Sequence, residues 1–350
     1  MVFFRRVFLA LFILPCAFGA FPPGKTTYTI TELGGLSGAQ FADATSINHS
    51  GQIVGKSADH AFLWQNGVMT DLGTLGGNLS AAYAISDSGQ IAGESTTPSG
   101  ELHAFLWEHG VMKDLGTPGE TSSAHGINNR GEVVGATFGK NVRGGAVLWK
   151  NGRRESLGDL GPSGSGSTAI AINDKGEVVG VSSGFASIGG GVVRAVIWQH
   201  GVIRDIGTLG GRHSTAQALN DRRDVVGWAE ISDLSTSAFL WEDGVMHDLG
   251  TLAGSLVQPG SGSLATAVNA HGQVVGSSLN SKGESRAVIW EKGKIIDLNE
   301  VSSNVNGLVF TRSTAINEGG QIVVEQKASA DGPAKSFLLT PKHFNVPDRD

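Results

Sequence analysis

Six side chains in this sequence carry chemistry that its internal repetition does not dictate: Tyr83, His125, Gln217, Arg212, His213 and Trp228. Tyr83, His125 and Gln217 share one position of a recurring Ala-x-Ala-Ile-Asn phrase, where other copies carry Thr45, Ile170, Thr266 and Thr314. A phenol, an imidazole and an amide at a position the frame leaves free suit hydrogen bonding to a ligand. The competing reading is that these residues fill gaps between packed repeats. Arg212-His213 falls in a segment expected to be a connecting loop, and Trp228 stands outside the register of the other Trp residues. Such a Trp at the start of a loop is a candidate for stacking on a ligand.

The more abundant reactive residues point away from catalysis. Asp71, Asp114, Asp205, Asp248 and Asp297 recur at one position, with Glu32 at the aligned place and Ser156 breaking the series. Carboxylates that cleave glycosides must converge, whereas residues at one position on outer strands lie apart around a rim. The structural expectation is a carboxylate accepting backbone N–H groups near the following Leu-Gly. His60, His103, Arg194, Arg286 and Lys335 also share a position; they form either a basic ring facing an acidic polysaccharide or solvated loop ends. Ser80, Ser122, Ser167, Ser214 and Ser263 recur without a partnered His–Asp set and are expected in turns. There is no His-x-x-x-His, and Cys16 is the one cysteine. No catalytic residue, metal ligand or cofactor site is therefore assigned.

The elements that position these residues come from the repeat itself. An Asn ends the phrase at Asn48, Asn128, Asn173, Asn220, Asn269 and Asn317, with Ser86 once. A Trp recurs at Trp64, Trp107, Trp149, Trp198, Trp241 and Trp290, with Leu339 in the seventh copy. Spacings of about 38 to 49 residues match a four-stranded propeller blade. Each copy holds four short apolar runs rich in Val, Ile, Phe and Trp, here called strands a to d. An x-Gly pair such as Asn66-Gly67 joins c to d, and Asn-x-x-Gly joins a to b. Arg223 replaces that second Gly once, which predicts an altered turn.

The C-terminal copy stops after strand c, at Ser336-Phe337-Leu338-Leu339. Ile30-Thr31-Glu32-Leu33-Gly34 aligns with the strand-d phrase Met69-Thr70-Asp71-Leu72-Gly73. A split copy closes a ring and removes two exposed sheet edges. The expected fold is all-β: a seven-bladed β-propeller with four-stranded blades over 25–341, closed by the N-terminal strand pairing into the C-terminal blade. An open β-solenoid is the alternative, and it gives no reason for the split copy. Strand a, innermost, should line the channel. The a–b and c–d turns share one face and look uniform. The b–c and d–a loops share a second, variable face, where function concentrates.

The 52 Gly suit tight turns, and the net charge of −6 comes without a basic run, so a nucleic-acid partner is not expected. Residues 1–20 have the form of a secretory signal: Arg5 and Arg6, an apolar Val7–Ala17, then small residues at Ala17-Phe18-Gly19. The apolar stretch is too short for a span, so no stable membrane insertion is expected after cleavage. Cys16 lies within it, preceded by Pro15 where lipid attachment calls for a small residue. Residues 342–350 form a C-terminal tail.

The phrases His60-Ala61-Phe62-Leu63-Trp64, Asp71-Leu72-Gly73-Thr74-Leu75-Gly76-Gly77 and Ile47-Asn48-x-x-Gly51 resemble the HAF family of probable extracellular repeats. The resemblance runs through nearly all of the chain after residue 20, although the His-Ala-Phe triplet is intact only at His60 and His103. It implies a bacterial secreted, extracellular or periplasmic protein, and it transfers no activity or catalytic residue. The function expected is a non-enzymatic binding or scaffold propeller engaging a carbohydrate or protein through its second face. The alternatives are a polysaccharide hydrolase or lyase drawing on His125, Tyr83, Arg212 and His213 at the channel mouth, and a structural surface component.

Overall fold

Each copy folds into an antiparallel meander of four strands, because two-residue turns and alternating apolar runs leave little else to form. The computed structural model describes residues 26–139, 144–161, 166–184, 191–232, 235–254, 262–302, 307–327 and 333–342. Residues 1–20, expected to be a secretory signal, together with Cys16 and nearly all of the expected tail, lie outside these residues. Seven four-stranded sheets are present, six of them built from consecutive strands. Blade 1, for example, comprises Asp43–Ile47, Ile53–Ser57, His60–Gln65 and Val68–Asp71. The c–d turns place both central residues at positive φ, as at Asn66 (50°) and Gly67 (84°), which matches the right-handed twist of the strands they join.

The seventh blade is composite. Its strands are Arg312–Ile316, Ile322–Lys327, Ala334–Pro341 and, outermost, Tyr28–Glu32 from the other end of the chain. Ile30 pairs with Leu339 and Glu32 with Phe337, the register in which Met69 pairs with Trp64 and Asp71 with Phe62 in blade 1. The ring is thus closed as its split copy predicts. A one-turn helix, Leu298–Val301, is inserted between blades 6 and 7, its N-terminus capped by Asp297.

Apolar residues gather in seven clusters, each spanning two neighbouring blades. In one, Ala92 and Ala104 of blade 2 meet Ile127, Val133, Val147 and Trp149 of blade 3. The repeated Trp residues all belong to such clusters, so they are wedges between blades.

The repeated Asn residues form a polar belt at the end of strand a. Each Asn Oδ1 accepts a backbone N–H four residues on, such as Glu177 N at 2.9 Å. Each Nδ2 donates to the next blade: Asn173 to Asn220 O at 3.1 Å, Asn220 to Asn269 O at 3.0 Å, and Asn317 back to Asn48 O at 3.1 Å. Ser86 keeps only the first half of this role, accepting Gln90 N at 3.1 Å. Asn173→Ala is expected to cost about 3 kcal/mol, because it orphans buried donors and an acceptor together, whereas Asn173→Ser should cost about 1 kcal/mol. Urea midpoints of the two variants give the comparison; equal losses would remove the belt from the account.

The turn at Arg223 is not altered, contrary to expectation. Arg223 adopts φ 74° and its N–H bonds Asn220 O at 3.1 Å, as Gly176 does with Asn173 O at 3.0 Å. A non-glycine residue in this region is strained. Here its guanidinium bonds Glu177 Oε1 of blade 4, with Nε at 2.7 Å and Nη2 at 2.6 Å, which offsets the strain.

Candidate functional site

Strand a carries one extra residue against strand b in every blade. The register skips Thr45, Tyr83, His125, Ile170, Gln217, Thr266 and Thr314. These bulges fall on the variable position of the repeat. A bulge re-aims the side chain of the extra residue, and here all seven line one channel cavity of about 350 Å³. Ser46, Arg312 and Glu325 also line it.

The bulge has a cost that explains another repeated residue. It swings the carbonyl two residues earlier over strand b. A Cβ on Gly55, Gly93, Gly135, Gly180, Gly227 or Gly276 would lie between 1.9 and 2.0 Å from that oxygen. The seventh blade carries Val324 at the corresponding place, pairing with Ser313, so the approach is wider there.

Tyr83, His125 and Gln217 are brought together, and two of them are already engaged. Tyr83 donates to Glu94 Oε1 at 2.7 Å; burial first, and the Glu94 charge with it, pushes the phenol well above its ordinary range. His125 Nδ1 lies 3.0 Å from Ala169 O of blade 4, which identifies Nδ1 as the protonated nitrogen. Burial lowers the pKa of this imidazole, opposed by the bond to Ala169 and the Glu94 charge. The Tyr83 and His125 rings meet edge to face with centroids 5.8 Å apart. Thr45 and Thr266 likewise brace the next blade, through Ala82 O at 2.9 Å and Ser313 O at 2.8 Å. The gap-filling reading thus describes part of what this ring does.

The other three candidates lie elsewhere. Arg212 and His213 belong to strand a of blade 5, Gly210–Leu219, rather than to a loop. Both backbone N–H groups bond Glu230 Oε2, at 3.0 and 3.1 Å, and His213 Nδ1 accepts Val193 N at 3.2 Å. Trp228 is inside strand b, paired with Thr215 and Ala238 and half-buried. Neither the pair nor Trp228 lines the channel cavity. In blade 4 the pairing of strands b and c continues to Gly184 and Val192; residues 185–190 lie outside the described part.

The repeated Asp residues do accept backbone N–H groups, as at Gly73 N to Asp71 Oδ1, 2.8 Å. They also hold the supposed basic ring. His60 Nδ1 meets Asp71 at 2.8 Å, His103 meets Asp114 at 2.9 Å, Arg286 meets Asp297 at 3.6 Å and Lys335 meets Glu32 at 3.2 Å. His103 is only 2% exposed, so these are not all solvated loop ends. The recurrent Ser residues are buried at the start of strand a, not in turns. Ser80 Oγ accepts Ala61 N at 2.8 Å and donates to Gly73 O at 2.6 Å, stapling blade 1 to blade 2. Among the described residues, no group of three His, Cys, Asp or Glu could hold a metal ion.

These features define a closed seven-bladed β-propeller whose channel is lined by seven bulged side chains. No protein-family model and no curated protein matches the chain. It is similar to the β-propeller domain of the trilobed protease from Pyrococcus furiosus, with 11% identity and a TM-score of 0.54 over 88% of this chain and 100% of that one. That domain is described as having an open velcro topology, in contrast to the sealed blade 7 here. It is also similar to an acylaminoacyl peptidase from Pyrococcus horikoshii, with 11% identity and a TM-score of 0.50 over 88% of this chain and 53% of that one. At such identities the likeness is one of fold.

Proposed function

We propose that the protein is a secreted, non-enzymatic binding propeller that takes its ligand in the central channel, entered from the face of the b–c and d–a loops. The observation that carries this reading is the ring of bulges. A scaffold repeated in its turns, belts and wedges presents Thr, Tyr, His, Ile and Gln side chains at one level of one cavity. Binding is favoured over hydrolysis because the residues a hydrolase would use are not assembled. His125 and Tyr83 are engaged in bracing bonds, and Arg212 and His213, which bond Glu230 through their backbone N–H groups, do not line the channel cavity. The leader-like residues 1–20 and the likeness to HAF repeats support an extracellular or periplasmic setting.

Glycan and peptide arrays test the proposal. Gln217→Leu and His125→Ala should each weaken binding about tenfold, the equivalent of one lost polar contact. Asp174→Asn and Glu318→Gln, at the opposite mouth, should leave binding unchanged. Loss of binding confined to the latter pair would reverse the assignment of faces.

A further inference from the structure

Blade 7 breaks the bracing pattern of the channel twice, in one place. Thr45, Thr266 and Thr314 are the same residue at the same bulge. Thr45 Oγ1 bonds Val54 O at 3.1 Å and Ala82 O at 2.9 Å. Thr266 Oγ1 bonds Val275 O at 3.1 Å and Ser313 O at 2.8 Å. Thr314 Oγ1 is equally buried, and no protein group bonds it. The second break is Glu325, which holds the strand-b position of Glu94, the carboxylate that accepts from Tyr83. Glu325 is 5% exposed, and its Oε2 makes no hydrogen bond; Lys327 Nζ stands 4.0 Å away. A buried polar atom left unpaired is costly. Two of them on adjacent strands, both lining the same cavity, are groups held ready for something that enters it.

The chemistry of the wall selects what enters. Thr314 and Gln217 can each donate and accept, and His125 Nε2 offers an acceptor once Nδ1 holds its proton. Burial raises the Glu325 carboxyl above its ordinary value, with Arg312 and Lys327 opposing and Asp43 adding to the effect, and its oxygens accept hydrogen bonds. Cations and carboxylates oppose one another around it, which favours a ligand without net charge. Ile170 and the Tyr83–His125 pair supply apolar surface at the same level. A pyranose ring has this complement: hydroxyls that donate and accept around its edge, and a C–H face.

We infer that the channel binds the terminal ring of a neutral saccharide, with Thr314, Glu325 and Gln217 as its polar contacts. The inference rests on the binding function proposed above and names the ligand class for that site. Calorimetry on the full chain tests it with maltose, cellobiose and diacetylchitobiose, beside a glucuronate disaccharide, a glucosamine disaccharide and a set of tetrapeptides. At least one neutral disaccharide should bind, and the charged sugars should bind about tenfold more weakly. Thr314→Val, which keeps the side-chain shape, should lower affinity about tenfold. Glu325→Leu should abolish binding, and Glu325→Gln should retain it. Thr314→Val should leave the melting temperature unchanged or raised, since it removes an unpaired group. Silence from every neutral sugar, or affinity indifferent to Thr314→Val, would overturn the inference and leave the two atoms as hydration sites. Peptide binding that falls with Gln217→Leu while sugars stay silent would keep the binding function and remove the saccharide. Failure of every probe would remove both.

Discussion

Gly135→Val is expected to lower stability by about 3 kcal/mol or more, near the upper end of the cost of overpacking. A Cβ at this position would sit 1.9 Å from Ser123 O and 2.9 Å from Ala124 Cα. Both are backbone atoms, so no rotamer change relieves the clash. The oxygen cannot retreat without undoing the bulge that turns His125 to the channel, and Ala124 itself is fully buried against blade 2. The comparison is Gly152→Ala in a c–d turn. Gly152 has φ 71° and nothing within 4 Å of a Cβ, so only backbone strain is added, about 1 kcal/mol. Urea unfolding of the two variants gives the difference directly. Equal midpoints would mean that the bulge is soft and does not fix the aim of the channel residues.

The blades, their strands and the closing register were all legible because each is written several times over in the sequence. The alignment of Ile30 with Met69 foretold the Ile30–Leu339 pairing residue for residue. The bulge was not legible. It is an excess of one residue between two strands, and no single strand displays it. Its trace was nevertheless present: a Gly two residues into strand b, at Gly55, Gly93 and four further copies, where a strand gains nothing from glycine. The clamp between strands c and d left a trace as well. Blade 3 lacks both members at once, with Gly145 and Ser156 at the two positions, a joint loss that signals contact. Arg212, His213 and Trp228 were misplaced because strands run past the apolar core toward the second face, where polar residues carry the pairing and hydropathy no longer marks it. Thr314 could not have been singled out at all. Its neighbours in the repeat, Thr45 and Thr266, are identical, and only the hydrogen bonds separate them.

Removing the closing strand should have the other large effect. A chain that starts at Leu36 lacks Tyr28–Glu32 and therefore all pairing along the outer edge of Ala334–Pro341. It also loses the bonds Leu33 N to Ser336 O at 3.0 Å and Lys342 N to Thr27 O at 2.8 Å. Tyr28, 4% exposed, is withdrawn from a cluster holding Phe310, Phe337 and Leu339, so apolar surface opens beside the bare edge. An unpaired strand of eight residues is a template for association between chains. The melting temperature should fall by about 10 °C or more for a loss of several kcal/mol in a protein of this size, with concentration-dependent association. Geometry, not chain continuity, is what the blade requires. Moving residues 26–35 behind Lys342 through an Asn-Gly hairpin should therefore restore both melting temperature and monomeric behaviour, since strand d then follows strand c as it does in the other six blades. A synthetic peptide of residues 26–35 should do the same in trans at sufficient concentration. A truncated chain that melts and sediments as the full chain does would show that blade 7 stands on three strands, and that the inter-blade Asn belt and apolar wedges alone hold the ring.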